Sequence, residues 1–173
     1  MRPTAARRGG FTLIELLIVV AIIGIIAALL VPNLLDALQK TKQKRTMADA
    51  RNIGNSMMAW LTDEASAAAA GASGSFDLAE WTGIGDVGQI SAQLVPTYIQ
   101  EIPRLDGWKQ DFLFRMEITN PRGERLFLIA SGGRDSSTPA GTYSIGAFDP
   151  TDYDQDVIWA DGLFLRWPQK GDS

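Results

Sequence analysis

The sequence predicts an α+β protein in which a long N-terminal α-helix, membrane-spanning in its first half, packs on a small antiparallel β-sheet. Residues 16–35 contain no charged side chain, and apolar residues then recur at mostly three- and four-residue steps up to residue 64. Short apolar or alternating segments separated by turn residues follow after residue 112, which is typical of strands. A length of 173 residues suits one domain with a modest core.

The apolar run predicts a single membrane-spanning helix. A helix needs roughly 20 residues to cross the hydrocarbon core of a bilayer, and residues 16–35 supply that length. A cleaved secretory signal is the alternative, but its apolar core is about 7–15 residues and precedes its small-residue site. Here Gly9 and Gly10 come before the run. Arg2, Arg7 and Arg8 also precede it, which places the N-terminus in the cytoplasm.

Residues 10–16 read GFTLIEL and follow a basic leader. This stretch resembles the class III leader of type IV pilins and type II secretion pseudopilins. The resemblance implies that a membrane peptidase cuts after Gly10 and methylates the new N-terminal residue, Phe11. The resemblance divides the first 64 residues into a leader peptide at 1–10 and a helix, with a transmembrane and assembly half at 11–35 and a soluble half at 36–64.

Glu15 is the candidate assembly residue. A carboxylate at the membrane edge costs a few kcal/mol unless it is paired. The α-amine of a cleaved Phe11 is cationic near neutral pH and offers such a partner. The pair forms either within one chain or between neighbours in a filament, and the family resemblance favours the neighbour. The alternative is that Glu15 reaches the lipid headgroups without a specific role.

The helix extends well beyond the membrane. A helix over residues 11–64 measures about 80 Å at 1.5 Å per residue, too long for a compact domain to bury. Its second half carries an apolar stripe suited to packing on a globular body. Pro32 lacks an amide proton, which predicts a kink or local melting over residues 24–32.

Residues 65–111 predict a loop with short helices. The alanines after residue 64 extend the helix, and the Gly/Ser half up to residue 75 ends it. Residues 83–88 spell GxGxxG without the strand and βαβ unit that a dinucleotide site requires, so we interpret them as a loop. Residues 90–94 predict a short helix. Residues 106–108 look like the family's turn before its first strand, with Trp108 as a core anchor.

Residues 112–173 predict the sheet and an acidic loop. Residues 112–118 and 126–130 form a hairpin about a turn at 120–123, and residues 142–145 and 163–167 are further strand candidates. Asp149, Asp152, Asp154, Asp156 and Asp161 crowd into 13 positions. Carboxylates at 152, 154 and 156 alternate and repel one another on an extended backbone, and calcium, with six to eight oxygen ligands, relieves that repulsion.

The calcium prediction takes its ligands from the family. The EF-hand is rejected, because Val157 and Leu163 stand where that loop needs Gly and Glu. Residues 129–135 followed by 154–159 are similar to the C-terminal loop of the major pseudopilins. The resemblance implies calcium held by Asp135, Asp154 and Asp156, with Asp152 possible and carbonyls near Ile129 and Ser131. A solvated acidic loop is the alternative.

Composition narrows the function. The chain has no His, which removes Ser-His-Asp and Cys-His catalysis, and no Cys, whereas many type IV pilins close a C-terminal loop with a Cys pair. The net charge is −4 and becomes −7 once the leader's three arginines are removed, which disfavours nucleic acid and a DNA-uptake role. A membrane-anchored glycan hydrolase with paired Asp residues is disfavoured by the small outer part.

The resemblance therefore implies a non-enzymatic structural subunit of a type II secretion pseudopilus that polymerises through its N-terminal helix to support protein export. The alternative is a major or minor type IV pilin acting in adhesion or motility. The implied partners are copies of the chain, a prepilin peptidase, an inner-membrane assembly platform, minor pseudopilins and membrane lipid. The implied location is the inner membrane, single-pass with a periplasmic C-terminus, and then a periplasmic or surface filament.

Overall fold

A computed structural model of the chain describes residues 10–69, 87–116, 127–137 and 142–169. Within them the chain forms two helices and five strands, which are α1 (Leu13–Ala69), α2 (Val87–Leu94), β1 (Leu113–Met116), β2 (Phe127–Ser131), β3 (Gly146–Phe148), β4 (Val157–Ala160) and β5 (Leu163–Pro168). A long helix and a small, mostly antiparallel sheet confirm the predicted α+β class.

Helix α1 continues to Ala69, as predicted from the alanines after Glu64, which are strong helix formers. Pro32 lies inside it without interrupting it, so the local melting predicted over residues 24–32 is absent from this structure. The side-chain amide of Asn33 donates to the Leu29 carbonyl oxygen at 3.3 Å, which satisfies this polar group within the helix.

Among the described residues, one structural unit covers residues 10–38, and most of it is the first part of α1. Its large apolar side chains are exposed all round the helix, from Leu13 (88% exposed) to Leu38 (48%). The segment is long and apolar enough to cross a membrane, by length and composition. An apolar surface of this extent requires lipid or other helices around it, because its hydration by water is unfavourable.

The second unit, from Gln39 onward, contains the sheet. Its strand order is β1-β2-β4-β5-β3, with antiparallel pairs except for the parallel pair of β3 and β5. The β1–β2 pairing confirms the predicted hairpin, although its turn at 120–123 lies outside the described residues. Strand β5 confirms the prediction at 163–167 with one more residue. The GxGxxG stretch is described only in its last two residues, which begin α2.

Two strand assignments from sequence need correction. The strand expected at 142–145 is wrong, because β3 begins at Gly146. The preceding Ser144 carbonyl instead accepts a bond from the Arg166 guanidinium at 3.4 Å, so a side chain rather than a strand ladder contacts it. Strand β4 was missed, although it lies in the middle of the sheet and all four of its residues are buried.

The core of the second unit lies between α1, α2 and the sheet. Trp159 of β4 is only 1% exposed, and its ring packs 5.5 Å from that of Phe127 between centroids. Trp108, which the sequence analysis placed in the core, is instead half-buried, and its indole N–H donates to the Gln39 side-chain oxygen at 2.7 Å. The other buried members are Ala50, Ile53, Met57, Trp60, Ile90, Leu94, Ile102, Phe112, Phe114 and Ile129.

Helix α1 packs directly against Trp159 of the sheet at Gly54. A Cβ atom at this position would lie 2.3 Å from the Cη2 and Cζ3 atoms of Trp159, far inside van der Waals contact. Glycine in a helix interior lowers helix stability by about 1 kcal/mol relative to alanine. The packing of Trp159 against Gly54 offsets this cost. The absence of a side chain at residue 54 therefore permits the burial of the Trp159 ring.

We expect Gly54→Ala to lower the free energy of unfolding by about 1–3 kcal/mol, because the buried Trp159 ring must move to admit a methyl group. Urea unfolding of the full chain in a mild detergent, followed by tryptophan fluorescence, measures this change. Gly24→Ala is the matched control, because it lies in the same helix and an added Cβ there meets nothing within 4 Å. Equal stability of the two variants would contradict the packing described.

Candidate functional site

The N-terminus of α1 is closed by two side chains that bond to each other's backbone. Thr12 directly precedes the helix, and its hydroxyl oxygen accepts the Glu15 amide N–H at 3.3 Å. The Glu15 carboxylate oxygen Oε2 accepts the Thr12 amide N–H at 2.8 Å and the Thr12 hydroxyl at 2.7 Å. This is a capping box, which satisfies donors that the first turn of a helix otherwise leaves without partners.

The capping box assigns Glu15 a role within its own chain. Sequence reasoning treated Glu15 only as a charge, although Thr-x-x-Glu before an apolar run is a recognisable signal for a helix start. The carboxylate also lies at the positive end of the helix dipole, which stabilises its ionised form there. Capping requires only an oxygen acceptor at residue 15, whereas pairing with an amine requires the negative charge.

The predicted processing site lies directly before this cap. Gly10 and Phe11 are exposed and non-helical, and the Phe11 side chain is 80% exposed. The peptide bond between them therefore belongs to backbone that no helical hydrogen bonds protect. The geometry is compatible with cleavage after Gly10, which itself stays a prediction.

The second candidate site is the acidic loop, where the Asp side chains accept hydrogen bonds from other groups of the protein. Arg134 binds Asp154 in a bidentate pair, from Nε to Oδ1 at 2.8 Å and from Nη2 to Oδ2 at 2.6 Å. Asp156 accepts the Tyr143 hydroxyl. Asp135 accepts the Ser137 amide at 2.9 Å, and Asp152 accepts both the Asp154 amide and the Gln155 side-chain amide. Each predicted ligand thus has a protein donor.

The pKa values of two carboxylates in this loop shift in opposite directions. The hydrogen bonds from Arg134 hold the pKa of Asp154 below its ordinary value, and the same bonds raise the pKa of the Arg134 guanidinium. Partial burial raises the pKa of Asp156 above its ordinary value. The Tyr143 hydroxyl and the charge of Arg166 oppose that rise, while the charge of Asp135 adds to it.

The placement of these side chains does not fit a bound metal ion. In the described part of the chain, no three Asp, Glu, His or Cys side chains are grouped so as to hold one. Calcium requires six to eight oxygen ligands, whereas the Arg134 guanidinium engages both oxygens of Asp154. Ile129 and Ser131, whose carbonyls were further candidates, lie within β2 in register with β4. Calcium binding stays a prediction.

A buried carboxylate that sequence reasoning did not select connects three parts of the second unit. Asp106 is 2% exposed, and its Oδ1 accepts the amides of Trp108 and Gln110 at 2.8 and 2.9 Å. Its Oδ2 accepts the Ser131 hydroxyl at 2.6 Å. The neighbouring Gly107 amide donates to the Thr46 hydroxyl oxygen of α1 at 2.9 Å. Asp106 is therefore a structural residue that holds the loop before β1.

Comparison with known proteins finds a motif at the N-terminus of the chain and several relatives that match part of it. A profile described as the prokaryotic N-terminal methylation motif matches residues 5–31. The chain is 37% identical over 57 residues to type II secretion system core protein G of Aeromonas hydrophila and 36% identical over 63 residues to that of Escherichia coli K12. It is 38% identical over 58 residues to the type IV major pilin protein PilA of Myxococcus xanthus.

These similarities cover part of each protein. The aligned segments amount to 33%, 36% and 34% of this chain and span 40%, 43% and 26% of the three relatives. No solved structure matches the chain. The matches support the resemblance to type IV pilins and type II secretion pseudopilins that residues 10–16 carry.

We expect Asp156→Asn to be more stable than the wild type at pH 7 by a fraction of a kcal/mol. The raised pKa of Asp156 means that the folded state binds its proton more tightly than the unfolded state. The contribution of Asp156 to wild-type stability is therefore lost as the pH rises through its folded pKa, which lies above the ordinary value of 3.8. The advantage of the variant should vanish as the pH falls below 3.8, as measured by urea unfolding.

Asp149→Asn is the matched control, with the opposite sign. The Thr151 amide and hydroxyl lower the pKa of Asp149, so its contribution to stability is present at pH 7 and is lost as the pH falls through the lowered pKa. This variant should be less stable than the wild type at pH 7. If both variants shift the stability in the same direction, the environment assigned to Asp156 is wrong.

Proposed function

We propose that this chain is a structural subunit of a type II secretion pseudopilus, which polymerises through the apolar part of α1 and supports protein export. One observation carries the proposal: a methylation motif at residues 5–31 leads into a helix whose apolar side chains are exposed on every side. Such a helix requires an apolar environment, and lipid before assembly or neighbouring copies after it supply one. Similarity to core protein G supports the choice of secretion system.

The proposed path begins in the inner membrane. Arg2, Arg7 and Arg8 retain the leader in the cytoplasm, so the second unit lies in the periplasm. A prepilin peptidase cuts after Gly10 and methylates Phe11. The cleaved subunit then joins a homopolymer, together with minor pseudopilins, at an inner-membrane assembly platform. A filament that crosses the periplasm or reaches the surface is the product.

The capping box is compatible with this processing. Cleavage after Gly10 converts the Phe11 nitrogen into an amine but leaves the Thr12 amide in place, so the bonds between Thr12 and Glu15 remain available. Glu15 then has two functions. It closes the first turn of its own helix, and its charge pairs with the α-amine of a neighbouring subunit as that subunit enters the filament.

A type IV pilus subunit is the second candidate. The match to the Myxococcus xanthus major pilin favours it, since its 38% identity is similar to that of the secretion proteins. The chain lacks the Cys pair that closes the C-terminal loop of many pilins, which favours the pseudopilus. Producing the chain with only one of the two assembly systems present distinguishes the candidates by which system yields filaments.

We expect Glu15→Gln to abolish filaments as fully as Glu15→Ala, because the amide oxygen retains the cap but loses the charge. A loss of about 1.4 kcal/mol per subunit contact corresponds to about tenfold in association. Immunoblots and electron microscopy of sheared filaments measure the change. Thr12→Val, which removes the hydroxyl and keeps the carboxylate, is the matched control and should assemble. Normal filaments from Glu15→Gln, with none from Glu15→Ala, would show that capping alone matters.

We expect Gly10→Val to leave the leader attached and to prevent assembly, because a branched side chain at the cut residue obstructs the peptidase. Intact-mass measurement of membrane-extracted protein should show a chain that starts at Phe11, with one added methyl group, for the wild type and for the control Gly9→Val only. A wild-type chain that starts at Met1, or downstream of residue 35, would contradict the proposed processing.

A further inference from the structure

Two loops of the second unit meet through their backbones at Gly133. One loop follows β2 and the other precedes β4. A Cβ atom on Gly133 would lie 2.8 Å from the Tyr153 carbonyl oxygen and 2.9 Å from that of Gln155, and its φ of +68° also favours glycine. The next amide, that of Arg134, donates to the Tyr153 carbonyl oxygen at 2.8 Å. This approach brings the Arg134 side chain over the second loop.

The Arg134 side chain completes the contact. Its two bonds to Asp154 are parallel and bidentate, the geometry in which a guanidinium and a carboxylate interact most strongly. The two side chains are 50% and 41% exposed, so the pair is partly shielded from water. A lysine offers a point charge without the planar fork, so it does not reproduce this arrangement.

Arg134 is also placed to balance the charge of the acidic loops. The sequence contains no Lys or Arg between Arg134 and Arg166. The negative charges of Asp154, Asp152 and Asp135 all act on the guanidinium. A cation at this position therefore relieves the mutual repulsion of the carboxylates, which is the task that the sequence resemblance assigned to calcium.

We propose that the Arg134 guanidinium, rather than a bound metal ion, supplies the cationic link between these two loops. The link consists of the bidentate pair with Asp154 and the backbone bond to Tyr153, so every bond in it is made by groups of the protein itself. Calcium bound by Asp154 would have to displace Arg134, because the guanidinium engages both oxygens of that carboxylate. The loops are thus held together without a metal ion or a disulfide.

The first test asks whether calcium stabilises the wild type. Thermal unfolding of the full chain in detergent is followed by tryptophan fluorescence in millimolar calcium chloride and in EDTA at matched ionic strength. Because no ion is required, we expect the same Tm in both. A Tm that rises with calcium chloride would overturn the proposal. The result does not depend on filament assembly, since the measurement uses the unassembled chain.

The second test asks whether the Arg134–Asp154 pair stabilises the fold. We expect Arg134→Gln to lower the Tm by about 1–4 °C, the range for a well-oriented partly exposed pair in a chain of this size. Arg104→Gln is the matched control, since the Arg104 Nε atom lies 2.9 Å from Asp111 in a more exposed pair. It should lower the Tm less. Equal changes in the two variants would count against the link.

A double-mutant cycle separates the pair from its surroundings. Asp154→Asn and Arg134→Gln each remove the ion pair, so the double variant should lose less stability than the sum of the two single losses. Added sodium chloride should narrow the Tm gap between the wild type and Arg134→Gln, because salt screens the attraction. Additive losses, or a gap that salt leaves unchanged, would show that Arg134 acts otherwise than through this ion pair.

Discussion

The first part of α1 presents an apolar surface that its own structural unit does not cover, and this constraint dominates the molecule. Side chains from Leu13 to Leu38 are exposed around the whole circumference of the helix. The second unit has a separate core that includes Ile53 and Trp159. The helix therefore serves two purposes along its length, since its later part completes a core and its first part requires lipid or other helices.

Unpaired backbone N–H groups at the start of a helix cost free energy in an apolar environment, because no water is present to accept hydrogen bonds from them. Thr12 and Glu15 supply acceptors within the same turn. This local solution explains how a carboxylate is tolerated beside a long apolar run. The two proposed roles of Glu15 also depend on different properties. Capping requires its acceptor oxygen, whereas the proposed assembly requires its negative charge.

The second unit is held together by polar contacts between segments that are distant in sequence. Buried Asp106 joins the loop before β1 to Ser131 of β2, while Gly107 reaches Thr46 of α1. Near the protein surface, Arg134 joins the loop after β2 to Asp154. Bidentate and charge-assisted bonds restrain loops that would otherwise have many conformations. The chain contains no Cys, so these contacts restrain loops of the kind that small secreted domains tie down with disulfides.

The sequence by itself determined the features that depend on length and local pattern. An uncharged run over residues 16–35 predicts a spanning helix in any tertiary context, and the GFTLIEL stretch indicates the family without reference to contacts. The hairpin of β1 and β2 and the short helix α2 were also predicted, because periodicity and turn residues are local signals. The capping box was present in the sequence and was overlooked.

Only the tertiary structure decided which residues meet. The strand β4 was overlooked because four buried residues after an acidic stretch have no alternating pattern, and its central position follows from pairing with β2 and β5. Trp159 rather than Trp108 fills the core because Gly54 leaves room for its ring. Asp154 meets Arg134, 20 residues away, because the backbone at Gly133 approaches the second loop. Such contacts depend on packing between distant segments, which local sequence patterns do not encode.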